Sequence, residues 1–260
     1  MTAAPIPQPY DPERYRSAAA HYECGRVPYA PALIRRVAEA VGLGRPHRVL
    51  DLGCGPGPLA RLFAPFAQEV VAMDPTPEML STARALAGNI ANIRFVAGSS
   101  YELGLALGRF ELVVMGRSFH WMDRVDTLKR LDGMIEPAGA IALFADLAPA
   151  VPANAWRKTW LDICARYEPR TGAHAHDPNW IRHEAVLLDS PFARLERFAV
   201  IERRAVDAET LVQRALSMGS TSPAHLGEKN TAAISAEIRR ALAGVREEVV
   251  ETSALVAWRP

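Results

Sequence analysis

An acid followed by glycines at every second position, Asp51-Leu-Gly-Cys-Gly-Pro-Gly57, is the stretch of this chain best equipped to meet a ligand. Glycine lacks a Cβ, so such a turn adopts positive φ and lets a ligand lie against the main chain. Two readings compete. Gly55-Pro-Gly-Pro-Leu-Ala60 formally satisfies G-x-G-x-x-A, the dinucleotide pattern. A pyrophosphate would then sit at the following helix N-terminus, where negative charge is welcome. Asp51, placed ahead of the glycines, instead suits a ligand carrying an ammonium or sulfonium. Asp74 is the second acid of interest. At the end of the next apolar run it can accept hydrogen bonds from the 2′- and 3′-hydroxyls of a ribose, or simply cap the helix behind Pro75. His120, with a reference pKa of about 6.5, could take a proton from a hydroxyl or amine nucleophile, or hold its loop in place. His174-Ala-His176-Asp177 has metal-ligand types, but the spacing suits no helix face and no nearby Cys or acid cluster completes a site, so no metal is expected.

The elements around these residues set their positions. Val49 to Leu52 reads as a short buried strand, and Leu59, Leu62, Phe63 and Phe66 recur at helical spacing until Pro65 ends or kinks the run. Glu69 to Met73, Ile93 to Val96, Phe110 to Met115 and Ala140 to Phe144 are further strands, with helices near 77–86 and 123–135. Thr76 and Pro77 suit the N-cap and first turn of the former. Apolar strands alternating with helices predict a parallel α/β sheet covered on both faces. Right-handed crossovers then bring the loops after every strand to one edge, where Asp51–Gly57, Asp74, Gly98–Tyr101 and Gly116–Trp121 all fall.

Before this core, Pro31 opens a helix with Leu33, Ile34, Val37 and Val41 on one face. After it, helices are expected near 153–168, 208–218 and 231–243, with strands at 194–204 and 249–258. The chain therefore reads as one domain, 1–260, with an N-terminal cap segment at 10–30, a cofactor-binding core at 47–145, and cap insertions at 146–190 and 206–246. Trp156, Trp160, Tyr167 and Trp180 would give the cap a partly apolar pocket or a core of its own.

Composition narrows the class. Hydrophobic content of 49% and charged content of 23% are those of a soluble globular protein, and a net charge of +1 offers nucleic acid or an anionic membrane no electrostatic footprint. No apolar run approaches the roughly 20 residues of a membrane span. The proline-rich Met1–Pro9 lacks a signal pattern and reads as a loose arm. Cys24, Cys54 and Cys164 are scattered, which favours free thiols and a cytoplasmic location. A monomer or homodimer is expected.

Three segments together carry a family resemblance. Val49-Leu-Asp-Leu-Gly-Cys-Gly-Pro-Gly57, Met73-Asp-Pro-Thr-Pro-Glu-Met-Leu80 and Ser118-Phe-His-Trp-Met122 resemble the class I S-adenosylmethionine-dependent methyltransferases, in particular the small-molecule, type 11-like branch. The resemblance covers residues 20 to 145 most strongly. It implies a Rossmann-like sheet of seven strands in the order 3-2-1-4-5-7-6, strand 7 antiparallel, with S-adenosyl-L-methionine as cofactor and a small-molecule methyl acceptor. Carried over by position, Asp51, Gly53, Cys54 and Gly55 would line the amino-acid end of the cofactor, Asp74 would hold the ribose, and Pro75 and Met79 would pack on the adenine. Gly116 and Arg117 would lie beside the methionine moiety, and Arg26 could pair with its carboxylate. The family usually has an acid directly after the glycine that follows strand three; here Ser99 and Ser100 stand there, so a hydroxyl or the backbone must meet the adenine amine. The resemblance implies in-line methyl transfer with His120 as candidate base. A non-catalytic protein that keeps the cofactor pocket and a nicotinamide-dependent oxidoreductase are the alternatives. Gly-Arg-Ser-Phe after strand four lacks the Asn-Pro-Pro-Tyr pattern of amino-methylating nucleic-acid enzymes.

Overall fold

The computed structural model describes residues 16–168 and 181–260. The proline-rich arm, Tyr10 and Tyr15, the His174–Asp177 cluster and Trp180 lie outside the described residues. A seven-stranded sheet runs in the order β3-β2-β1-β4-β5-β7-β6, with β1 Arg48–Leu52, β2 Glu69–Asp74, β3 Ile93–Ala97, β4 Phe110–Gly116, β5 Ile135–Leu147, β6 Arg194–Asp207 and β7 Val245–Trp258. The first five strands are parallel, and β7 is antiparallel to both β5 and β6. The fold is the Rossmann-like one that the resemblance implies.

Strand residues alternate between two cores, which is why the strands read as nearly continuous apolar runs. Val49 joins Leu33, Ile34 and Val37 of α2 (Pro31–Ala40), with Leu59 and Phe63 of α3 (Pro58–Phe63) and Leu80 of α4 (Pro77–Ala87). Leu50 and Leu52 face the other side, with Leu128 and Leu131 of α5 (Arg124–Asp132) and Leu187 of α7 (His183–Leu188). A third core belongs to the cap. It joins Trp160 and Ile163 of α6 (Arg157–Tyr167), Leu211 and Val212 of α8 (Ala208–Leu216), and Ile234 and Ile238 of α9 (Pro223–Ala241). The described chain begins with α1 (Ala19–Gly25), which lies against α8.

The departures from sequence expectation have local causes. β5 starts at Ile135, not Ala140, although it contains Pro137 and Gly139; the register jumps there, from Phe110 opposite Ile135 to Leu112 opposite Ala140. A proline at such an irregularity interrupts no ladder bond. β6 and β7 continue beyond the expected ends because they pair with each other over their whole length, to Asp207 opposite Val245. α9 starts at Pro223, eight residues earlier than expected, with a break at Gly227, where φ is +71°. α7 has no counterpart in the sequence reading. Within the cap, Trp160 is buried and its indole donates to the Leu211 carbonyl at 3.1 Å, Trp156 donates to the Glu247 carbonyl at 3.1 Å, and Tyr167 donates to Glu237 at 3.1 Å. These three aromatics belong to the cap's own core and line neither of the two cavities described below.

Candidate active site

The turn after β1 is held by main chain. Gly53 and Cys54 N–H groups donate to the Met73 carbonyl at 2.8 and 3.0 Å, and Gly55 N–H donates to Asp74 Oδ2 at 2.8 Å. The first glycine is required twice over. Gly53 has φ +71°, and a Cβ there would sit 2.6 Å from Ser118 Cβ. Gly57, at φ +77°, is the N-cap of α3 and has no side chain with which to cap it. Asp51 does so from beneath, its Oδ2 accepting from Ala60 N–H at 2.9 Å. Full burial drives the Asp51 pKa up, to about 7, and the nearby Asp74 adds to the effect while the Ala60 bond opposes it.

Asp74 closes β2 in the same manner. Its Oδ1 accepts from Thr76 N–H at 2.9 Å and its Oδ2 from Gly55 N–H, so the carboxylate ties the loops after β1 and β2 together. The Thr76 side chain also bonds to this carboxylate, which with about four lone-pair sites keeps acceptor capacity for a hydroxyl. Burial raises its pKa, against the pull of the two backbone bonds. After β3, Ser99 caps a short 3₁₀ turn and is engaged by Glu102, whose carboxylate accepts from Ser99 N–H at 2.6 Å and from its hydroxyl. The acid of this loop is thus three residues beyond its usual place and spent on the capping box.

After β4, Ser118 Oγ donates to the Leu52 carbonyl at 2.8 Å, fastening this loop to the end of β1. Arg117 has φ +57°. Its guanidinium donates to Asp146 Oδ1 at 2.5 Å and to the Val27 carbonyl at 2.5 Å, and lies 4.6 Å over the Tyr29 ring. From α1's end, Arg26 Nη2 donates to the Ser217 carbonyl at 2.9 Å, while its buried Nε meets no acceptor among the described residues.

These loops enclose one cavity of about 890 Å³, mouth included. From the first two loops Gly53, Gly55, Asp74, Pro75 and Met79 line it. Ser99 and Ser100 line it from the third, Gly116, Arg117 and His120 from the fourth, and Arg26 from the cap. Two of the sequence candidates stand behind the wall: Asp51 and Cys54 are buried, 1% and 4% exposed. The Cys54 thiol pKa is pushed well up by burial, so it is a packing group and not a nucleophile. Sequence reasoning missed Tyr22, Tyr101, Ser118 and Met122 as wall residues. Ser118 and Met122 were inside a quoted motif; Tyr22 and Tyr101 had only proximity to one. Among the described residues no group of three His, Cys, Asp or Glu could hold a metal, and no helix is long and apolar enough to cross a membrane.

A glycine cradle at the crossing of β1 and β4, an acid after β2 and a cavity across the carboxyl ends of the strands define a class. It agrees with the resemblance to the class I, S-adenosylmethionine-dependent methyltransferases. Residues 49–139 match the methyltransferase domain family. An uncharacterized methyltransferase of Mycobacterium tuberculosis is 28% identical over 218 residues, 83% of this chain and 81% of that protein. Among solved structures, YcgJ of Bacillus subtilis superposes with a TM-score of 0.53 at 18% identity, covering 88% of this chain and 99% of that one. A methyltransferase of Geobacter sulfurreducens, in complex with S-adenosyl-L-homocysteine, gives 0.52 at 14% identity, with 97% and 99% covered.

Proposed function

We propose that this protein transfers the sulfonium methyl of S-adenosyl-L-methionine to a small-molecule acceptor by in-line displacement. The observation that carries the reading is the single cavity uniting the glycine turn, the Asp74 loop and the Gly116–His120 loop. The residues present suit the cofactor. The glycine at 53 lets Ser118 pack against the turn, and the main chain at Gly53 and Gly55 forms part of the cavity wall. The remaining acceptor capacity of Asp74 suits ribose hydroxyls, and the Arg26 side chain on the cavity wall suits a carboxylate. When bound, the cofactor supplies an already activated methyl group. The protein's work is then to orient the two reactants and exclude water. His120 would accept a proton where the acceptor must lose one.

Thermal unfolding with S-adenosyl-L-homocysteine and, separately, NADH tests the reading. S-adenosyl-L-homocysteine should raise the melting temperature and NADH should not; the reverse would assign the oxidoreductase alternative. For His120, substitution by Ala should abolish turnover with cofactor affinity nearly unchanged, and retained turnover would give it a structural part. A cofactor that binds tightly while no acceptor in a broad panel is methylated would favour a non-catalytic binding protein.

A further inference from the structure

A second cavity, about 720 Å³ with its mouth, adjoins the first and shares Arg117, Ser118 and His120 with it. Its floor is a single row across four strands. Met115 of β4 stands opposite Leu143 of β5, Leu143 opposite Leu255 of β7, and Leu255 opposite Arg197 of β6. Moving away from the first cavity, the floor is therefore apolar and ends in a cation. On the far side α7 contributes His183 and Glu184.

The charges on this wall cancel in pairs. Arg117 Nε meets Asp146 Oδ1 at 2.5 Å, and Arg197 Nη2 meets Glu184 Oε1 at 2.5 Å. His183 Nδ1 lies 3.2 Å from Arg124 Nη1. A guanidinium can only donate, so Nδ1 accepts and the ring proton resides on Nε2. Burial, with Arg124 close by, pushes the His183 pKa down to about 4, so the ring is neutral at physiological pH. A carboxylate or ammonium entering here must break an ion pair or remain without a countercharge; the cost is greater at Arg117, 12% exposed, and smaller at the more exposed Arg197–Glu184 pair. An uncharged molecule meets no such opposition.

Resting on the reading of the first cavity as the cofactor site, we infer that the second is the acceptor chamber and that it selects an uncharged, largely apolar acceptor, with the Arg197–Glu184 pair as the specificity filter. The polar group to be methylated would point toward His120, where the two cavities meet. Rejection of anions is active: the pair satisfies its own charges and leaves none for the ligand.

The test is a fluorine-NMR fragment screen with three arms of matched size, neutral fluorophenols, fluorobenzoates and fluorobenzylamines, on the protein alone and with S-adenosyl-L-homocysteine. Neutral phenols should dominate the hits and weaken roughly tenfold or more in Ala145→Phe, which fills the chamber from an exposed wall position. Ser253→Leu on the facing strand is the second filling variant, and either serves if its melting temperature is unchanged. Glu184→Gln should newly admit the benzoates by releasing Arg197. Charged fragments that bind the wild type as well as phenols do, hits indifferent to both filling variants, or no hits in any arm would overturn the inference. The cofactor reading fails separately, if S-adenosyl-L-homocysteine does not stabilise the wild type; fragment selectivity is still read on the protein alone.

Discussion

The edge formed by β1 to β4 and the rim formed by β6, β7 and the cap are held together by opposite means. At the edge, the contacts are main chain and short acids: Gly53 and Cys54 on the Met73 carbonyl, Gly55 on Asp74, Ala60 on Asp51. At the rim, one fully buried carboxylate, Glu248, serves three arginines. Arg214 binds it through two nitrogens at 2.6 and 3.0 Å, with Arg157 at 3.4 Å and Arg204 at 3.5 Å. Arg214 also donates to the Gly25 carbonyl at 3.1 Å, so this hub anchors α1 and α8 over the sheet. Burial lowers the pKa of Arg157 and of Arg204, a measure of how little solvent shares their charge. The backbone-built edge is pre-organised for a ligand, whereas the rim depends on a single acid.

Glu248→Ala should therefore give the largest loss. Three guanidiniums would be left around a site with no countercharge, and removing one partner of a buried pair costs about 3–5 kcal/mol. Glu248→Gln, which keeps the shape, should cost nearly as much, because it is the charge that matters. Urea unfolding followed by circular dichroism measures both; a loss in Glu248→Ala below that of an ordinary surface change would erase the contrast between the two regions.

That contrast also explains what was legible in the sequence. The glycine turn, Asp74 and the Gly116–His120 loop are local signals: each is a few residues long and each sits at the end of an apolar run, so topology alone carries them to one edge. Strand order followed from the resemblance these motifs carry. The rim left no such mark. Arg157, Arg204, Arg214 and Glu248 are spread over some ninety residues, belong to no motif, and acquire meaning only when β6 and β7 pair beyond the sheet's edge. Asp51 was legible as an important acid but not as a buried helix cap, because its bond to Ala60 depends on how tightly the turn closes. α7 was missed because six residues hold too little periodicity to register.

The edge should fail by strain. Gly53→Ala places a Cβ against Ser118 and forces a left-handed backbone on a residue that resists it. The expected cost is about 2–4 kcal/mol, combining left-handed strain with steric overlap. Stabilisation by S-adenosyl-L-homocysteine should fall with it, since Gly53 and Ser118 form part of the cavity wall. If Gly53→Ala binds the cofactor product normally, the edge is more pliant than its hydrogen bonds suggest.

Asp51 adds a pH dependence to the edge. Its folded pKa of about 7 lies above the usual carboxylate value, so the native state binds a proton that the unfolded chain has released. The stability this group contributes is complete below about pH 4 and is lost as pH rises through 7. Asp51→Asn keeps an oxygen for Ala60 N–H and removes the titration. Its stability should be flatter between pH 5 and 8 than that of the wild type, by on the order of 2 kcal/mol. Parallel stability curves for the two proteins would show that Asp51 does not titrate in this window.

Arg26 belongs to both regions, and replacing it separates them. Its Nη2 bond to the Ser217 carbonyl is part of the rim, and loss of one such bond costs about 1 kcal/mol, the smallest effect expected here. Its side chain also lines the edge cavity, a position from which it can meet the carboxylate of a ligand. Arg26→Ala should thus barely change the unfolding of the protein alone yet sharply reduce the stabilisation that S-adenosyl-L-homocysteine confers. Arg26→Lys, which keeps the charge but not the fork, should recover part of it. Equal stabilisation of Arg26→Ala and wild type would confine Arg26 to the rim, and the carboxylate of the cofactor would then have to be held by the main chain of the glycine turn.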